Sequence, residues 1–129
     1  MKPLLLIISV FCAITFCSSQ TNCSSFRTGV FMYRDSANNI INVTRKKKKQ
    51  IETNVKNNLV TKSKIKWTSD CEYQLKQIWA NQKSGRKFNG AVTTIRITRT
   101  NGYDSYEYSC ACKGLPAKEN AGTMVRVNY

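Results

Sequence analysis

The stretch Lys64-Ile-Lys-Trp-Thr-Ser-Asp-Cys-Glu-Tyr-Gln-Leu75 constrains this chain more than any other. Ile65 and Trp67 alternate with Lys64 and Lys66, so a strand here has one apolar and one cationic face. Thr68-Ser69-Asp70 reads as a turn. Tyr73, Leu75 and Trp79 then resume the alternation on a second strand, with Cys71 at the corner. A chain that doubles back over three residues while keeping period two is committed to antiparallel pairing.

The same grammar runs through the rest. Strands are expected at 26–34, 40–45, 50–55, 59–68, 72–80, 91–100, 103–112 and 123–129. Gly29 inside the first suggests a bulge or a close backbone approach. Asp35-Ser-Ala-Asn-Asn39 and Lys56-Asn-Asn58 are turn clusters, and Asn101-Gly102 is the strongest hairpin signal. Segment 72–80 also contains good helix formers, but period two favours a strand. The expected fold is all-β: a single antiparallel meander of about eight strands that hides its edges by closing into a small lipocalin-like barrel or half-barrel. The interior of such a barrel is filled by side chains or holds one small ligand.

The chain begins with a basic residue, Lys2, an apolar run from Leu4 to Phe16, and the small residues Ser18 and Ser19. This is the pattern of a signal peptide, with cleavage expected near Ser19. Residues 1–19 are read as the signal and 20–129 as one β domain, exported to the periplasm or beyond. A lipid anchor on Cys17 is the alternative, disfavoured by the bulky Phe16 before it. No other apolar stretch could make a transmembrane helix.

The 129 residues carry 21 Lys and Arg against 7 Asp and Glu, a net charge of +14. Such a charge favours polyanions: nucleic acid, acidic polysaccharide or an anionic membrane surface. Histidine is absent. That excludes a Ser-His-Asp or Cys-His hydrolase and a ribonuclease with paired histidines, and it removes the commonest zinc ligand.

Of six cysteines, Cys12 and Cys17 fall in the leader. Cys23, Cys71, Cys110 and Cys112 remain, and an even number in a small exported domain implies disulfides. Three pairings are possible. Cys23–Cys71 with Cys110–Cys112 is preferred, and bonds from Cys23 and Cys71 to the later two are the alternatives. The first would close a loop of about 48 residues, worth ~4 kcal/mol by chain entropy.

Arg45, Lys46, Lys47, Lys48 and Lys49 form five consecutive cations, read as a candidate polyanion contact on a hairpin tip, or simply as a solvated tip. Tyr103, Tyr106 and Tyr108 with Arg96 and Arg99 resemble a base-stacking face, although tyrosines on a small sheet more often pack. Asp70 and Glu72 flank Cys71 and are the nearest approach to a hydrolytic carboxylate pair. Cys110-Ala-Cys112 lacks the spacing and helix of a redox motif. No Gly-rich phosphate loop, metal-ligand spacing or nucleophile elbow occurs, so no cofactor is expected.

Cys23-Ser-Ser-Phe-Arg-Thr-Gly-Val-Phe-Met-Tyr33, then Thr44-Arg45, Gln50-Ile-Glu52 and Ile65-Lys-Trp-Thr-Ser-Asp-Cys-Glu-Tyr-Gln-Leu75 resemble a family of small exported proteins from flavobacteria and relatives. Its pattern is Cys-x-x-Phe-Lys-Thr-Gly-x-Phe-x-Tyr, an Arg, Gln-x-Glu and Trp-x-x-Asp-Cys-Glu-Tyr-x-Leu. Arg27 stands where the family usually has Lys, and the resemblance ends before Trp79. It implies location and shape rather than an activity, and it adds weight to Cys23–Cys71. It also implies a shared polar site at Gln50, Glu52, Asp70 and Glu72. The resulting expectation is a non-enzymatic binding or structural module with a small apolar ligand or a polyanion as partner. A cationic effector acting on polyanions is the alternative.

Overall fold

Residues 22–111 and 120–127 are described by the structure, a computed structural model of the protein. Eight strands follow one another: β1 (Gly29–Arg34), β2 (Ile40–Arg45), β3 (Lys49–Asn54), β4 (Val60–Ser69), β5 (Glu72–Ala80), β6 (Val92–Asn101), β7 (Ser105–Ala111) and β8 (Ala121–Arg126). Each pairs antiparallel with the next, and β8 returns to β1 through Phe31↔Arg126 and Met32↔Val125. The expected meander is therefore a closed, lipocalin-like barrel rather than a half-barrel. Among the described residues, helix is limited to α1 (Lys83–Arg86), a 3-10 turn at Ser24–Phe26 and 3-10 conformation at Asn120.

Local chemistry sets the turns. Asp35 Oδ1 accepts the backbone N–H groups of Ala37 and Asn39 at 3.0 and 2.8 Å. Asn38 and Asn58 take the left-handed conformation that asparagine tolerates, at φ of 64° and 57°. A meander sorts its connections by end. The β1–β2, β3–β4 and β5–β6 connections lie at one end, here called the mouth. The β2–β3, β4–β5 and β6–β7 turns lie at the other, together with the N-terminal segment.

That segment plugs its end of the barrel. Cys23 is bonded to Cys71 at the β4–β5 corner, and Phe26 is completely buried. Arg126 at the end of β8 donates to the carbonyls of Ser25 and Tyr103, at 2.6 and 3.0 Å, and its guanidinium lies over Phe31 and Tyr103. Gly29, at φ 136°, permits this: a Cβ there would stand 2.6 Å from Arg126 Nη1. The close approach expected at Gly29 is found.

Alternation then fills the interior. Phe31, Ile41, Val43, Ile65, Tyr73, Ile95, Ile97, Tyr106 and Met124 are buried, and Trp67 and Leu75 pack against them. Full burial of such side chains is worth about 1.5–3 kcal/mol each. One expectation needs correcting. Trp79 does not share a face with Tyr73 and Leu75, because a register shift between Lys62 and Ser63 turns it outward. Tyr106 and Tyr108 face the interior with Cys110, the packing role favoured for them, so the alternative of an exposed stacking face with Tyr103 falls. Cys110 is disulfide-bonded as well. Cys112 and the leader lie outside the described residues, so the Cys110–Cys112 pairing and the signal cleavage do too.

Candidate functional site

Among the described residues, Arg45 is the charged side chain buried in the barrel interior. It closes the Ile41-Val43-Arg45 alternation of β2 and is only 2% exposed. It is thus no part of the surface run with which its sequence groups it. Lys46, Lys47, Lys48 and Lys49 are exposed at the β2–β3 turn, while Arg45 turns in. Its cross-strand partner is Gln50, so the two side chains meet on the inner face. Arg45 Nε donates to Gln50 Oε1 at 2.8 Å, Nη1 to the Phe26 carbonyl at 2.8 Å, and Nη2 to the hydroxyls of Tyr73 and Tyr106 at 2.9 and 3.0 Å. Burial opposes the cation, and the phenolic oxygens of Tyr73 and Tyr106 more than offset that cost.

The chain of hydrogen bonds runs on from Gln50 to Glu52. Gln50 Nε2 donates to Glu52 Oε1 at 3.3 Å, and the Tyr33 hydroxyl donates to the same oxygen at 3.0 Å. Among the described residues, none donates a hydrogen bond to Glu52 Oε2. Burial raises the pKa of Glu52, against the pull of Tyr33, Arg45 and Gln50. Burial also raises Tyr33 and Tyr73 well above the usual phenol value, with the Glu52 charge adding to the effect at Tyr33. Tyr108 is pushed up to about 12, first by burial and then by Tyr106 and Glu52.

These groups form the polar floor of a cavity of about 390 Å³ in the mouth half of the barrel. Gln50, Glu52 and Tyr73 lie at the bottom, Leu75, Ile95 and Met124 form apolar wall, and Asp35 and Phe88 stand near the mouth. Tyr33 and Tyr108 flank the space, with their rings edge to face at 6.3 Å. Gly122, the cross-strand partner of Tyr108, makes room for that phenol: a Cβ would come within 2.6 Å of its oxygen. The volume lies in the range of small-molecule sites, which are mostly apolar with a few placed polar groups.

The four positions grouped by the resemblance separate. Gln50 and Glu52 are together inside the barrel. Asp70, with its side chain 96% exposed, sits at the β4–β5 turn 3.8 Å from Arg27. Glu72 lies on the outer wall, paired with Arg96 at 3.3 Å and accepting from Thr68 Oγ1 at 3.0 Å. Neither borders the cavity. Among the described residues no cluster of three His, Cys, Asp or Glu is placed to hold a metal ion.

No protein-family model, curated protein or solved structure matches this chain.

Sequence reasoning missed the inward roles of Arg45 and Tyr33. A signal existed for both: Arg45 shares parity with Ile41 and Val43, and Tyr33 with Phe31. Tyr108 was named among tyrosines that pack, but no local pattern shows that it meets Tyr33, because their strands are distant in sequence.

Proposed function

We propose that this protein is an exported binding module that holds one small molecule inside its barrel. The ligand has an apolar body and a hydrogen-bonding head, the head directed at Glu52, Tyr33 and Tyr108. The observation that carries the reading is the cavity itself: an apolar wall over a polar floor on which one carboxyl oxygen has no donor among the described residues. That oxygen is open to the cavity rather than sealed in the wall, so a ligand donor can reach it. Export is supported by the Cys23–Cys71 bond and by the leader pattern of the sequence. The reading is non-enzymatic, since the carboxylate pair considered for hydrolysis lies outside the cavity.

The test is displacement of a fluorescent apolar naphthylamine probe. Thr93 borders the cavity, and Thr93→Phe fills part of it. The reading expects probe binding that falls about tenfold or more in that variant. A probe that ignores the protein, or binds both chains alike, overturns it.

A second reading, a cationic effector that grips polyanions, is favoured by the four lysines standing exposed on the β2–β3 turn. It uses the opposite end of the barrel from the cavity mouth, so the two readings are separable by mutation.

A further inference from the structure

We propose that the mouth end of the barrel docks on an anionic lipid surface. The large apolar side chains left in water are not spread evenly. Val55, Ile78, Trp79, Phe88 and Val92 are exposed at the mouth end, whereas Tyr103 and Val125 are the ones at the plugged end. Trp79 is 43% exposed and Phe88 54%. The bulge that throws Trp79 outward places it opposite Lys62, whose ammonium sits 4.6 Å above the indole ring. Lys87 stands in the same way over Phe88, at 5.1 Å. Lys56, Lys83 and Arg86 are exposed around them. Among the described residues Asp35 is the acidic side chain at this rim, and its oxygens are taken up by Ala37 and Asn39.

Aromatic rings with lysines folded over them suit a bilayer interface. The rings enter the headgroup level, and the long basic side chains reach lipid phosphates. An anionic leaflet attracts each nearby cation. A nucleic acid would satisfy the cations but leave Ile78, Val92 and Val55 in water. Phe88 belongs to both the rim and the cavity lining, so a docked barrel would open its cavity toward the lipid. The docking surface stands on exposure and charge alone and does not depend on what the cavity holds.

The experiment uses the full mature chain and vesicles of phosphatidylglycerol or of phosphatidylcholine. Co-sedimentation is expected with the anionic vesicles and not with the neutral ones. The double variant Trp79→Ser/Phe88→Ser lowers partitioning by about tenfold, whereas serine at Lys46, Lys47, Lys48 and Lys49 leaves most of it. Brominated phosphatidylglycerol quenches the wild-type tryptophan emission, a readout that needs no mutant fold. Absence of sedimentation, absence of quenching, or dependence on the four lysines rather than on Trp79 and Phe88 overturns the proposal.

Discussion

Arg45 Nη2 lies 2.9 Å from the Tyr73 hydroxyl, and the Arg45 guanidinium also stacks 4.6 Å from the centre of the Tyr73 ring. One buried cation thus ties β2 to β5 across the barrel, with Gln50, Tyr106 and the Phe26 carbonyl as further partners. Truncation would strand several buried polar groups at once, each costing about 1–3 kcal/mol, and leave a void. Arg45→Ala should lower stability by about 3 kcal/mol or more, read from the denaturant midpoint at unchanged slope. A loss under about 1 kcal/mol would contradict the placement of Arg45 as an internal brace.

The Cys23–Cys71 bond spans a sequence separation of 48 residues and holds the Phe26 plug on the barrel. A double Cys→Ser variant should lose ~4 kcal/mol by the chain-entropy argument. Hydrogen exchange should rise first at the plug-end strand termini, because the plug loses its tether there. Equal stability of the two chains would count against this.

Much of this frame could be read from the residues. The bounds of β2 and β5 match the expected segments, because turn clusters bracket them and their alternation is clean. Two errors have physical causes. Five consecutive cations suggested a single surface feature, yet parity along β2 sends Arg45 inward and leaves the lysines outside. Trp79 kept parity with Leu75 in the sequence, but one extra residue at the β4–β5 bulge reverses its face. Closure was expected in outline; its register, Phe31 against Arg126, depends on a contact between the two ends of the domain that no local pattern encodes. The cavity floor was illegible for the same reason: Tyr33, Glu52 and Tyr108 come from three separate strands.

Glu52 should give stability a distinct pH slope. Its carboxyl is raised above the ordinary value by burial, so the folded state holds this proton more tightly than the unfolded chain. The stabilisation is complete below the ordinary carboxylate pKa and is lost as pH rises through the raised one. The stability difference between wild type and Glu52→Gln should therefore move against the wild type as pH rises across that window. A pH-independent difference would contradict it. At the alkaline end, the Tyr108 phenol should contribute a tyrosinate absorbance step near pH 12 that disappears in Tyr108→Phe.

Charge on the β2–β3 turn should govern adhesion to acidic polymers. Serine at Lys46, Lys47, Lys48 and Lys49 should lower the salt needed to elute the protein from heparin, since fewer counterions are released on binding. Arg45 is buried and makes no such contribution. Unchanged elution of the four-lysine variant would remove the turn from any polyanion grip.

The most direct test of the central claim is native mass spectrometry of the protein recovered from the exported fraction of cells, beside the Thr93→Phe chain. The account predicts a small-molecule adduct on the wild type that collisional activation removes, and a bare Thr93→Phe chain. A bare wild-type chain, or the same adduct on both, would contradict a ligand-holding barrel.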